Sequence, residues 1–200
     1  RHAGETELDV PMFLIVRDGV YLPCAGLPFR RFLDHGHQGH QATMADWELH
    51  LSTLFPEVRL KQYLEMRGAD GGPWGNLCAL PAFWVGLLYD GQSLSDVERY
   101  VADWNINELL KLRNEVPQSA LKTKFRNHSV QDIALDILEI SKAGLRRRAR
   151  MDDIGNDETF FLDPLFKIAN SGNSPAEDLI RSFDGPWNGN VDPVFSELIY

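Results

Sequence analysis

The segment from Pro56 to Asp70 constrains the fold most, because its charged and apolar residues alternate along PEVRLKQYLEMRGAD. Successive side chains of a β-strand point to opposite faces, so the pattern predicts one strand with a polar face and an apolar reverse. The reverse carries Val58, Leu60, Leu64 and Met66. The polar face carries Arg59, Lys61, Tyr63, Glu65 and Arg67.

The polar face has two interpretations. Antiparallel sheets commonly keep one charged face in solvent, and its charges then form a structural ion-pair ladder across strands. Alternatively, the carboxylate of Glu65 and the guanidinium of Arg67, two residues apart and flanked by further cations, suit an anionic substrate and a metal. Periodicity does not distinguish the two.

Length and composition limit the class of protein. A chain of 200 residues with 44% hydrophobic and 24% charged residues can bury the core of one globular domain. Its net charge of -9 argues against nucleic acid as a partner, which requires a basic surface. No apolar run reaches the ~18 residues of a membrane span, so we expect no membrane partner.

Cysteine usage and the first residues predict a cytoplasmic protein. Cys24 and Cys78 are too few for a disulfide framework, and the N-terminal residues do not resemble a signal peptide. The chain begins at Arg1 without an initiator methionine, so an organellar targeting peptide in a preceding segment is left open.

Turn and capping signals predict an α+β class. Asp18-Gly19 favours a type I′ turn in a hairpin over residues 10–23, and the apolar run Leu77–Tyr89 predicts a buried helix. From residue 93 onward the patterns are mainly helical. Helix starts are predicted at Thr43, Ser95, Ser129 and Ser174.

Several blocks of the chain resemble glutamate-cysteine ligases of the plant and proteobacterial type. The two longest are DWELHLSTLFPEVRLKQYLEMRGADGGPW at 46–74 and LCALPAFWVGLLYD at 77–90. Further matches, in the family's order, are LDVPMF at 8–13, AGLPFRRFL at 25–33, LKTKFR at 121–126, SPAEDLI at 174–180 and VDPVFSEL at 191–198.

The resemblance implies part of an antiparallel sheet like that of glutamine synthetase, with a helical C-terminal layer. Residues 1–200 would be the C-terminal part of one catalytic domain, sheet-rich over 1–75 and mainly helical over 76–200. The N-terminal part of the domain would precede Arg1, and the chain alone would be inactive.

The resemblance also implies a reaction, in which ATP and Mg²⁺ support ligation of the γ-carboxyl of L-glutamate to the amine of L-cysteine. The intermediate would be an acyl-phosphate, and the reaction would be the first step of glutathione biosynthesis. Carried over by motif, Glu65 would bind Mg²⁺, Arg67 would act catalytically on the transferring phosphate, and Arg59 and Tyr63 would bind the nucleotide. A homodimer of the complete protein is a further expectation.

Two departures keep alternative functions open. Gly75 and Asn76 stand where relatives usually have two arginines, and residues 1–7 match the family poorly. The alternatives are a carboxylate-amine ligase that uses another amine and a non-catalytic interaction fragment. His35, His37 and His40 suggest zinc, but neither a helical pair nor an accompanying Cys supports that geometry, so we expect a solvated surface loop.

Overall fold

The computed structural model describes residues 7–199, which form two compact units that meet in sequence at Ala69 and Asp70. Helices and two-stranded antiparallel sheets occur in both units, so the α+β class is confirmed. The larger sheet of glutamine-synthetase type stays a prediction. The poor family match at the N-terminus falls on residues that, apart from Glu7, lie outside the described range.

The first unit combines two hairpins with two helices. Asp18 and Gly19 have φ angles of 50° and 79°, which confirms the turn predicted between the first two strands. The elements in chain order are β1 Leu14–Arg17, β2 Val20–Pro23, α1 Phe29–His35, α2 Met44–Thr53, β3 Val58–Leu60 and β4 Leu64–Met66.

The core of the first unit lies between β1 and α1. Its buried members are Met12, Ile15, Cys24, Phe29 and Phe32. Trp47 of α2 packs its ring against Phe29 at a centroid distance of 4.8 Å. Aromatic burial of this kind contributes strongly to stability, so packing attaches α2 to α1.

The N-terminus of α2 is fixed by a capping box. Thr43 accepts a hydrogen bond from the backbone N–H of Asp46, while the Asp46 carboxylate accepts one from the backbone N–H of Thr43. The same carboxylate forms an ion pair of 2.7 Å with Arg17 at the end of β1. The predicted cap is therefore confirmed, and its carboxylate also joins α2 to the hairpin.

The second unit is mainly helical, and its described helices include none long and apolar enough to cross a membrane. The predicted starts at Ser129 and Ser174 are confirmed, whereas the start at Ser95 is wrong because Asp90 caps the helix earlier. The elements are α3 Trp74–Leu88, α4 Gly91–Val101, α5 Ile106–Ser119, β5 Lys124–Phe125, β6 His128–Ser129, α6 Val130–Arg148, α7 Asp163–Ser171, α8 Pro175–Asp184 and α9 Val194–Glu197.

Helices α3 and α6 cross at very short range. A Cβ added to Gly144 would lie 2.0 Å from the carbonyl oxygen of Gly86, so neither position has room for a side chain. Ser141 closes the contact by donating a hydrogen bond of 2.9 Å to the carbonyl of Phe83. The predicted apolar helix therefore exists, and it is buried along the side that faces α6.

Candidate functional site

The segment 56–70 forms a hairpin, so the prediction of one continuous strand is wrong. The chain reverses after Leu60, where the N–H of Lys61 donates to the carbonyl of Tyr63 at 2.8 Å. Strands β3 and β4 pair antiparallel with Arg59 opposite Glu65. Directly opposed residues share a face, so the predicted polar face survives on two strands.

The carboxylate of Glu65 lies among three cations, which together we call the Glu65 cluster: Glu65, Arg59, Lys61 and Arg67. Arg67 Nη1 donates to Glu65 Oε2 at 2.9 Å. Arg59 Nε lies 3.8 Å from the same oxygen, and Lys61 Nζ lies 3.9 Å from Oε1. Three cations against one carboxylate leave the cluster with an excess of positive charge.

The Glu65 cluster is partly open to solvent. The exposed fraction of the side chain is 30% for Glu65 and 24% for Arg67, so the pair is neither free in solvent nor sealed in apolar packing. The hydrogen bond from Arg67, aided by the charges of Lys61, Arg67 and Arg59, lowers the pKa of Glu65. The carboxylate is therefore ionised at neutral pH and accessible to a ligand.

Groups before β3 hold two of the cations. Arg59 Nη2 donates to the carbonyl of Leu54 at 2.9 Å, and the guanidinium of Arg67 lies 5.4 Å from the ring centre of Phe55. Such a distance permits a cation–π interaction. Alternation within the strand could not reveal Phe55, because it lies outside the pattern, before Pro56.

Tyr63 lies at the turn of the hairpin rather than within a strand. Its side chain is 61% exposed, and Lys61 Nζ is 5.9 Å from its ring centre. The structure therefore brings Arg59, Glu65 and Arg67 together and places Tyr63 beside them through Lys61. Lys61, which received no role from the sequence, is the fourth member of the group.

The described residues do not bring enough ligands together to hold a metal ion by themselves. Over residues 7–199 no group of three or more His, Cys, Asp or Glu side chains could hold a metal ion. In the histidine loop, the backbones of His37 and His40 pair through two hydrogen bonds of 2.9 Å. Glu65 Oε1 accepts no hydrogen bond from a described residue, and Lys61 Nζ faces it at 3.9 Å.

The segment after the hairpin begins α3 in the second unit. Gly75 and Asn76, which the resemblance leads us to expect to differ from relatives, lie in the first turn of this helix. Trp74 precedes them, and its side chain is 75% exposed.

Comparison with known proteins gives one consistent result. Residues 2–197 match the family model described as glutamate-cysteine ligase family 2. Over 196 residues the chain is 50% identical to the chloroplastic glutamate-cysteine ligase of Nicotiana tabacum and 49% identical to that of Arabidopsis thaliana, covering 96% of this chain and 36% of each relative. Ligase B of Oryza sativa subsp. japonica is 50% identical, with 38% of its length covered.

Two consequences follow from these relatives. The chain spans little more than a third of their length, so most of each relative has no counterpart in it. Their names describe chloroplastic proteins, and the expectation of a cytoplasmic protein is therefore wrong.

Proposed function

The chain belongs to glutamate-cysteine ligase family 2, and we propose that the complete protein uses ATP to join the γ-carboxyl of L-glutamate to the amine of L-cysteine. This reaction would supply the first intermediate of glutathione biosynthesis. The observation that carries the proposal is the family match over residues 2–197 together with an identity of 50% to a named ligase.

The chemistry of amide formation agrees with the charge of the Glu65 cluster. A carboxylate does not condense with an amine spontaneously in water, so ATP first converts it to an acyl-phosphate. Transfer of a phosphoryl group depends on positioning and on neutralising its oxygens. We assign Arg67 to hold the transferring phosphate, because its planar guanidinium can donate two parallel hydrogen bonds.

Glu65 is our proposed magnesium ligand. Oε2 accepts the hydrogen bond from Arg67, whereas Oε1 accepts none and faces Lys61 Nζ at 3.9 Å, so Oε1 could bind a cation without breaking the bond to Arg67. Mg²⁺ commonly takes one or two protein carboxylates and completes its octahedron with phosphate oxygens and water. When bound, it would neutralise phosphate charge, and further carboxylates would come from the part of the complete protein that this chain does not span.

Arg59 and Tyr63 are our proposed nucleotide contacts. Arg59 is held by the Leu54 carbonyl at one end and lies beside Glu65 at the other, so its guanidinium is oriented before a ligand arrives. Tyr63 presents an exposed ring at the turn, and an aromatic face can stack on a base. Both assignments follow the family resemblance, and the arrangement of the hairpin supports them.

The hairpin β3–β4 supports a larger sheet in the complete protein. Its reverse face exposes Leu60 and Leu64, at 79% and 60%, and two strands alone are marginally stable in water. We propose that this face joins the sheet of glutamine-synthetase type. In that proposal residues 1–75 and 76–200 are the sheet-rich and helical portions of one catalytic domain, and the chain alone is inactive.

The test is release of ADP by the complete protein, measured with glutamate and cysteine present or omitted. We expect release that depends on both amino acids and on Mg²⁺, and none from residues 1–200 alone. Arg67→Lys keeps the charge but removes the planar fork, and should lower the rate roughly 100-fold. Arg31→Lys, on the exposed side of α1, is the matched control and should leave the rate unchanged.

Other outcomes separate the alternatives. ADP release that depends on another amine would replace cysteine as the substrate while keeping the ligase chemistry. Absence of release with every amine would favour the interaction fragment. Sedimentation of the active protein would test the proposed homodimer.

A further inference from the structure

A cavity of about 280 Å³ lies in the second unit and shares no residue with the Glu65 cluster. It is bordered by the end of α4, the residues before α5, the turn between β5 and β6, and the first half of α6. The side chains that matter for its chemistry are Tyr100, Asp103, Trp104, Phe125, Arg126 and Asp136. A space of this volume admits a small organic group.

Three aromatic rings form one wall of the cavity. Trp104 lies between the other two, with centroid distances of 5.9 Å to Tyr100 and 4.8 Å to Phe125, and both pairs are T-shaped. Aromatic faces carry partial negative charge and attract cations. The wall already holds one, because the guanidinium of Arg126 lies 5.5 Å from the ring centre of Phe125.

Asp136 supplies a full negative charge beside this wall. Its Oδ2 accepts a hydrogen bond of 2.8 Å from the Tyr100 hydroxyl. Burial and this hydrogen bond raise the pKa of Tyr100 to about 12, so the hydroxyl remains a donor at neutral pH. Among residues 7–199 the Asp136 carboxylate has no cation as a partner.

Arg126 does not neutralise Asp136, because other carboxylates engage it. Its Nη1 lies 2.7 Å from Asp103, and its Nη2 lies 2.7 Å from Glu108. The guanidinium also donates to the backbone carbonyl of Asp103 at 2.6 Å. The cavity and its ion pairs therefore contain the carboxylates of Asp103, Glu108 and Asp136, the guanidinium of Arg126 and the imidazole of His128. With the imidazole neutral, the formal charge that remains is negative.

We propose that this cavity binds a primary alkylammonium group. Asp136 would accept a hydrogen bond from the ammonium, and the rings of Tyr100 and Trp104 would contact the alkyl chain. A guanidinium fits less well, since it prefers both oxygens of a carboxylate and Tyr100 occupies one of them. The proposal is independent of the ligase function and stands on the cavity alone.

The ligand could reach the cavity as a free amine or as a lysine side chain of a protein partner. Both present the same group, an ammonium at the end of an alkyl chain. The experiment therefore uses n-butylammonium as the free amine and a short acetylated peptide with one lysine as the protein source.

The test is an NMR titration of the purified protein that follows the indole N–H of Trp104, assigned with Trp104→Phe. We expect a saturable shift with n-butylammonium and a Kd on the order of 1 mM. Asp136→Asn should weaken binding roughly tenfold or more. Glu139→Gln removes the same charge from the exposed side of the same helix, outside the cavity lining, and should bind as the unchanged protein does.

Uncharged and anionic ligands of the same chain length are the negative controls. Butanol and butyrate should produce no saturable shift, and the proposal fails if either binds as tightly as butylammonium or if Asp136→Asn binds normally. It also fails if no amine binds to the folded protein. Tighter binding of the lysine peptide assigns the source to a protein partner, and tighter binding of butylammonium assigns it to a free amine.

Discussion

Helices α3 and α6 pack by direct backbone contact, whereas the β3–β4 hairpin leaves one apolar face exposed. At the crossing, two glycines and one serine let the backbones touch, and no side chain separates Gly86 from Gly144. In the hairpin, charged side chains meet on one face while Leu60 and Leu64 of the other remain exposed. The helical contact is therefore closed by its own backbone, whereas the hairpin leaves an apolar face exposed, which we propose a larger sheet covers in the complete protein.

The largest effect should come from Gly144→Ala. The new Cβ would lie 2.0 Å from the Gly86 carbonyl oxygen, and backbone cannot yield as a flexible side chain does. We expect a loss of about 3 kcal/mol in the free energy of unfolding, measured by urea denaturation. Gly91→Ala in the first turn of α4 meets nothing within 4 Å and should be neutral or slightly stabilising. Equal stabilities of the two variants would contradict the tight crossing.

The second prediction concerns Asp46, which is buried at 3% exposure and joins β1 to α2. Burial by itself raises the pKa of Asp46, but hydrogen bonds from Arg17 and Thr43 outweigh it and lower the pKa. A lowered pKa stabilises the fold above the unfolded value of about 4, and this contribution is lost as pH falls through the folded value.

Asp46→Asn should therefore cost about 2 kcal/mol at pH 7, since it leaves Arg17 without its carboxylate. The variant should also lose less stability than the unchanged protein as the pH falls from 5 to 3. Thermal unfolding at several pH values measures both effects. Asp34→Asn, on the exposed part of α1, is the control, and parallel pH curves for all three proteins would refute the assignment.

Local signals predicted more of the fold than long-range ones. The caps at Thr43, Ser129 and Ser174 were predicted correctly because each depends on a residue and its neighbour three positions on. The start at Ser95 failed because a second good cap, Asp90, lies earlier and is held by Arg147 of α6 at 2.7 Å. A local sequence pattern cannot predict the contact between Asp90 and Arg147, which are 57 residues apart.

The candidate site shows the same limit. The hairpin was missed because its turn, at Lys61 to Tyr63, contains none of the Gly, Asn or Asp residues that usually mark one. The residues of the polar face were nevertheless predicted, since Arg59 and Glu65 have the same parity along one strand and face each other across two. The cavity of the second unit was not predicted, because its walls come from segments spread from Tyr100 to Asp136.

The smallest effect in this chain, and the sharpest test of the comparison, is expected from Leu60→Thr. Threonine keeps the strand preference but removes apolar surface from a side chain that is 79% exposed. In residues 1–200 alone the free energy of unfolding should change by less than about 0.5 kcal/mol. In the complete protein, where we propose that a larger sheet covers this face, the loss should approach about 2 kcal/mol.

Leu145→Ala, in the buried core beside Leu162, should be costly in both proteins because the second unit already covers it. If Leu60→Thr has the same small effect in both, the reverse face of the hairpin stays exposed in the complete protein, and the proposed sheet must be built elsewhere.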